Sequence, residues 1–261
     1  MKKFSERKKV LEEKGSFLIS EREGTILKKE ESSEKNIIEM NITPIAHIET
    51  DFADKFGVPR QSGLVPELSG RIVFEPEYRV AEAFRGLEGY SHIWLLWHFS
   101  EVHQDKWSPT VRPPRLGGNK RVGVFATRSP FRPNPIGLSC VELERVELDS
   151  PDGPVLWVRG ADLMDGTPIY DIKPYLPFTD SHAEARGGFA DQTLQQPDLE
   201  VSVSDEVARL LAPSKLKALE RVLAEDPRPH YHTDDGRVYG MTFAGVNVRF
   251  KVQDGRVEVF V

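Results

Sequence analysis

Short apolar runs of strand length follow one another through the first two thirds of the chain, at 44–50, 71–74, 92–99, 121–126, 137–148, 154–161 and 168–173. Several alternate apolar with polar positions or are rich in Val and Ile, and Gly, Pro and Asp clusters separate them. That pattern predicts seven β-strands. The run HIWLLWHF within 92–99 is apolar throughout and predicts a strand covered on both faces. Glu77, Val80, Ala81 and Phe84 recur at helical spacing and predict one helix over 76–85. So many strands with so little helix point to a barrel or sandwich rather than a βαβ sheet.

The pattern changes after Phe178. TDSHAEARGGFADQTLQQPD is polar and reads as a linker. Ser204 is then placed to cap a helix with Val207, Leu210 and Leu211 on one face. Pro213 breaks or restarts it, and Leu216, Leu219, Val222 and Leu223 carry the apolar stripe to Ala224. VYGMTFAG, VNVRFKVQ and RVEVFV close the chain, the last two joined at Asp254-Gly255, a hairpin signal. The expected organisation is a charge-dense extension over 1–40 (a solvated helix or disordered), a mainly β barrel domain over 41–180, a linker over 181–197 and a small α+β domain over 198–261.

Composition changes this picture little. Charged residues are 29% and hydrophobic residues 39%, ordinary for a globular chain. No apolar run approaches the roughly 20 residues of a membrane span. MKKFSERKKVLEEKG lacks the apolar core of a secretory signal. The single cysteine, Cys140, lies in IGLSCVEL and reads as a buried small hydrophobe; no internal disulfide can form, which suits a reducing cytoplasm. The seven histidines have no zinc spacing, so no metal site is expected.

Charge is more telling. From Lys106 to Pro135 there are seven basic residues and no acidic one, in a chain of net charge -6. Two Pro- and Arg-rich loops, RPPRLGGNKR and TRSPFRPNP, flank the apolar run VGVFA. Rigid loops that present guanidinium groups suit a phosphate, a carboxylate or an RNA backbone; the plain alternative is a solvated basic surface. Three further stretches are rich in polar groups: GVPRQSGL, DLMDGTPIYDIKPYLPF and EDPRPHYH. In the second, Asp171, Lys173 and Tyr175 alternate and so share one strand face. Read singly, the three are a turn, a hairpin turn and a helix stop. There is no GxxxxGK[ST] phosphate loop, no GxSxG elbow and no glycine fingerprint between a strand and a helix.

Together and in this order, FGVPRQSGL, RGLEGYSHIWLLW, SPTVRPPRLGGNKRVGVFATRSPFRPNPIGLS, DLMDGTPIYDIKPYLPF and DPRPHY resemble one family, the TrmO (YaeB/TsaA-like) tRNA methyltransferases. The resemblance covers about 41–261 and leaves the N-terminal extension outside it. It implies a single-sheet, seven-stranded β-barrel with a small C-terminal domain, a homodimer, and a cytoplasmic enzyme. That enzyme would use S-adenosylmethionine to methylate N6 of N6-threonylcarbamoyladenosine at tRNA position 37. Carried over by position, the cofactor contacts are Pro59, Arg60, Gln61, Arg128, Leu138, Asp165, Gly166, Thr167 and Pro168. The family also takes cofactor contacts from two residues at the end of the 92–99 strand, commonly His-Gln, and this chain departs with Ser100 and Glu101 in those cofactor-binding places. On the same reading Asp171 and Tyr175 are the candidate proton acceptors. Arg112, Arg115, Lys120, Arg121 and Arg132 would face the phosphates of the anticodon stem-loop, with Asn134 and Asp226 also on the substrate side. Arg132, Lys173 and Arg228 are the candidate cations for the threonyl carboxylate. Two other readings compete: a non-catalytic RNA- or S-adenosylmethionine-binding module on the same barrel, and a methyltransferase for another acceptor.

Overall fold

The computed structural model describes residues 17–19, 26–28, 41–102, 106–113, 116, 120–191, 198–228 and 236–261. The chain forms two compact units, Met1–Asn41 and Ile42–Val261. In the first, β1 (Phe17–Ile19) pairs antiparallel with β2 (Ile26–Lys28); the rest of the 1–40 extension, for which a solvated helix or disorder is expected, lies outside the described residues.

In the second unit, β3 (Ala46–Glu49), β4 (Ser69–Phe74) and β5 (His92–His98) are followed by a short pair, β6 (Thr110–Val111) and β7 (Val122–Gly123). Then come β8 (Ile136–Ser150), β9 (Gly153–Arg159) and β10 (Thr167–Pro174). Six of them close into an antiparallel barrel in the order β10-β3-β4-β9-β8-β5. The barrel thus has six strands where seven are expected. The 121–126 run supplies β7 and a 3-10 turn at Val124–Ala126, and β7 pairs with β6 outside the barrel.

Inward positions are filled by Ile48, Ile72, Ile93, Leu95, Leu156 and Ile169, all fully buried, each contributing about 1.5–3 kcal/mol over an exposed position. Along β5 burial alternates: Ile93, Leu95 and Trp97 point inward, while Trp94, Leu96 and His98 are half-buried on the outside. HIWLLWHF is therefore a one-sided strand whose outer apolar groups are partly covered. Trp94, for example, lies against the Tyr175 ring at 5.8 Å and donates through Nε1 to Asp180 Oδ2 at 2.9 Å. Cys140, opposite Trp94 in register, is likewise half-buried rather than buried; burial first, then the Asp180 charge, pushes its thiol up.

The expected helix over 76–85 is instead two 3-10 turns, Pro76–Tyr78 and Ala81–Phe84. Val80 between them is extended, at φ -107° and ψ 111°, which breaks the helical ladder, and it is half exposed. Phe84 alone of the four spaced residues is buried, edge-on to Phe74 at 4.7 Å.

The C-terminal sheet has β11 (Glu200–Val203), β12 (Val238–Phe243), β13 (Val246–Gln253) and β14 (Arg256–Phe260) in the order β11-β14-β13-β12, with β11 parallel to β14. Asp254 and Gly255 both have positive φ, 49° and 75°, as a tight hairpin turn demands. Ser204 Oγ accepts from the Val207 amide at 3.4 Å and caps the helix Asp205–Leu210. Pro213 opens the helix Pro213–Ala224. Leu219, Val222 and Leu223 are buried from it, while Leu210, expected on the same apolar face, is 55% exposed. This core also takes Phe52, Val65 and Leu68 from the segment between β3 and β4. Among the described residues no helix is long and apolar enough to cross a membrane.

Candidate active site

The 57–64 loop is held between the two cores. Gly57, at φ 91°, is buried, and a Cβ there would meet the end of the Met241 side chain in a backbone conformation that favours glycine. Gly63 N donates to Gly160 O at 2.8 Å. Arg60 Nη2 donates to the Asp226 carbonyl at 2.9 Å. Gln61 Nε2 donates to the Arg60 carbonyl, and Gln61 Oε1 accepts from Arg128 Nη1. Asp226, at φ 49°, accepts from Arg228 through Nε to Oδ1 at 2.7 Å, Nη2 to Oδ2 at 2.9 Å and the backbone amide to Oδ1 at 3.3 Å. Segments far apart in sequence thus converge through Arg60, Gln61, Arg128, Asp226 and Arg228. Pro59 and Arg60 line a small cleft beside Pro227 and Val222.

Close to Arg128 lies a polar chain the sequence pattern does not single out. Trp97 Nε1 donates to Ser139 Oγ at 2.9 Å, and Ser139 Oγ donates to Asp162 Oδ1 at 2.5 Å. Burial pushes the Asp162 carboxyl above the usual range, opposed by the Ser139 hydroxyl, backbone amides and the Arg128 charge. Ser139 is 1% exposed at an inward position of β8. The available signal is a hydroxyl on the inward face of an otherwise apolar strand, which demands a buried partner.

The Asp165 turn forms a separate group. Asp165 Oδ1 accepts from Thr50 N at 3.0 Å, Asp165 N donates to Phe52 O at 2.9 Å, and Gly166 N donates to Ile48 O at 2.8 Å. Gly166 has φ 72° with open space above it, Thr167 is buried with its hydroxyl on Met164 O at 2.8 Å, and Pro168 pairs with His47 in register. Asp165 faces a cleft of about 510 Å³ shared with Asp51, Lys215 and Thr242. Lys215 Nζ is 2.6 Å from Asp51 Oδ2.

The candidate proton acceptors lie on the outer face of the barrel. Asp171 and Leu138 both stand opposite Leu96, from β10 and β8 respectively. Neighbouring strands lie about 4.8 Å apart, so this puts the two Cα atoms roughly 10 Å from each other. Asp171 Oδ2 is 2.8 Å from Lys173 Nζ, and its Oδ1 accepts from Ile172 N at 2.9 Å. Tyr175 N donates to His92 O at 3.0 Å and its ring packs on His92 and Trp94. Leu138 is 49% exposed. Ser100 follows β5 with its amide on His98 O at 2.9 Å, and Glu101 is exposed.

Of the basic residues, Arg112, Lys120 and Arg121 are exposed, Arg121 donating through Nη1 to Thr110 Oγ1 at 2.8 Å. Arg132 Nη1 donates to Thr127 O at 3.0 Å and braces its own loop; Asn134 is exposed, its carbonyl accepting from Ile136 N at 2.8 Å. Arg115 lies outside the described residues.

Comparison with known proteins gives this arrangement a family. The model of the tRNA-methyltransferase O N-terminal domain matches residues 47–181, and that of the TrmO C-terminal domain matches 196–261. The chain is 45% identical over 224 residues to the tRNA (adenine(37)-N6)-methyltransferase of Escherichia coli, covering 83% of this chain and 94% of that one. It is 42% identical over 218 residues to a putative S-adenosylmethionine-dependent methyltransferase, RcsF, of Pseudomonas aeruginosa, covering 80% and 91%. The crystal structure of TrmO from P. aeruginosa superposes with a TM-score of 0.69 at 35% identity, over 87% of this chain and 98% of that one. With both domain models matched in order and the barrel shared with a solved member, the chain belongs to the TrmO family of tRNA methyltransferases.

Proposed function

We propose that the protein transfers a methyl group from S-adenosylmethionine to N6 of adenosine 37 in tRNA, the acceptor being N6-threonylcarbamoyladenosine. The observation that carries this reading is the chain of hydrogen bonds that joins Arg128, Gln61 and Arg60 to Asp226, with the Arg128 charge felt at Asp162. The donor set fits the cofactor's polar ends: an Arg fork for its carboxylate, and the acidic group of the separate Asp165 turn for its ribose hydroxyls. When bound, the cofactor supplies a methyl carbon activated on a sulfonium. The protein's part is alignment, worth up to about 7–11 kcal/mol, and removal of the N6 proton. We assign that proton to Asp171 Oδ2, which must exchange its contact with Lys173 for one with N6; Tyr175 is the second candidate. Lys173, Arg132 and Arg228 are the candidate cations for the threonyl carboxylate, and Asp226 fixes Arg228. Within this reading, 41–180 is the cofactor-binding barrel, 181–197 a linker and 198–261 a substrate-side domain of a cytoplasmic homodimer.

The test is mass spectrometry of nucleosides from threonylcarbamoylated tRNA incubated with protein and cofactor. The wild type should add one methyl to the modified base. Arg128→Ala should lose cofactor binding by titration calorimetry. Asp171→Asn should keep it and turn over roughly 10²–10⁴-fold more slowly. Binding of tRNA and cofactor with no methyl transfer would favour the non-catalytic module, to which Ser100 and Glu101 point.

A further inference from the structure

We propose that Trp107 and Phe125 form a stacking platform for an unpaired base of the tRNA anticodon loop, an inference that rests on the function proposed above. The rings lie at 6.3 Å between centroids and 29° between planes. Although they touch, they remain 49% and 74% exposed. Local structure keeps them there. β6 and β7 pair Thr110 with Gly123, and Val124 N donates to Pro109 O at 3.0 Å. Val124 is buried at 1%, and the 3-10 turn it opens presents Phe125 outward. An exposed Leu or Val needs no explanation, but two large rings held together at the surface by a paired strand do.

The surroundings identify the occupant. Lys106, Arg112, Lys120 and Arg121 are exposed on the same strand pair and its flanks, and no acidic residue occurs between Lys106 and Pro135. A second copy meeting this patch across a two-fold axis would set its positive charges against their own images. A polyanion with flat apolar faces matches both features, and such faces are open to side chains in single-stranded loops rather than in duplex. Ring stacking accepts any base, so the platform would hold the loop while other groups select the modified adenosine.

Binding of an anticodon stem-loop RNA to the full chain tests this, with a fully paired duplex of equal length as the control. Trp107→Leu and Phe125→Leu should each weaken loop binding roughly 5- to 150-fold. Duplex affinity, cofactor affinity and the slope of log K against log salt should stay at wild-type values, because no phosphate contact is removed. Phe125→Tyr keeps the ring and should bind like the wild type. Unchanged loop affinity in the Leu variants would overturn the proposal. So would a matching loss of cofactor affinity, or a shift from dimer to monomer in sedimentation. If the wild type methylates tRNA while the Leu variants bind normally, the stacking role fails and the methyltransferase reading stands. If the wild type binds the loop without methylating it and the Leu variants lose that binding, the stacking role stands and the methyltransferase reading fails.

Discussion

Asp162 is held by groups from three strands and loops: the Ser139 hydroxyl, a Ser62 backbone amide and, at longer range, the Arg128 charge. Its neighbour across Ser139 is the Trp97 indole, whose ring lies on Gly137, where a Cβ would overlap it. The residue therefore links the 57–64 loop to the barrel interior. Because burial raises its pKa, the folded state keeps a proton that the unfolded chain has already lost. The stability Asp162 contributes is thus fully present below the ordinary aspartate range and is lost as the pH climbs through its raised value. Asp162→Asn should remove that falling component. Urea midpoints of the two proteins, followed upward from mildly acid pH, should diverge through this window; parallel curves would show that Asp162 does not titrate as the geometry implies.

Elements that the sequence predicts correctly are those whose signals are local. Ser204 followed by acidic residues, and Pro213 at the first position of the next helix, mark two starts that the structure keeps. Asp254-Gly255 marks a turn whose two positive φ values no β-branched residue would accept. The 76–85 stretch has the right spacing for a helix but an extended residue at Val80, and one buried ring cannot hold a longer helix against the barrel. The helix Asp205–Leu210 has only six residues, so its cap matters. Ser204→Ala should cost about 1 kcal/mol in chemical denaturation, with an unchanged denaturant slope. A loss below a few tenths would mean that packing at Val207, which is fully buried, fixes the helix without its cap.

At the scale of the whole molecule, the segment between β3 and β4 joins the barrel to the C-terminal sheet. Phe52 bridges Phe243 in β-register, their rings 5.4 Å apart, and Ala244 N donates to Asp51 O at 2.9 Å. Phe52, Val65 and Leu68 belong to the C-terminal core although the sequence places them among barrel strands. Phe52→Ala should therefore cost about 3–5 kcal/mol and lower one shared transition. Far-UV circular dichroism, and fluorescence of Trp94, Trp97 and Trp157 on the barrel strands, should move together. Separate transitions would show that the two sheets unfold independently.

The sequence by itself determined the strand runs, the helix caps, the hairpin turn and the basic Pro- and Arg-rich loops, because periodicity, capping and turn chemistry act over a few residues. It also carried the family motifs in order. Tertiary structure decided what no local pattern encodes. It closed six strands into a barrel and left the 121–126 run outside. It turned Asp171 and Leu138 to one outer row opposite Leu96. It gathered Arg60, Gln61, Arg128 and Asp226 from segments up to 166 residues apart, and it buried Ser139 beside Asp162. These are contacts across sequence distance, set by strand order and register, and only the folded chain brings their partners within hydrogen-bonding reach.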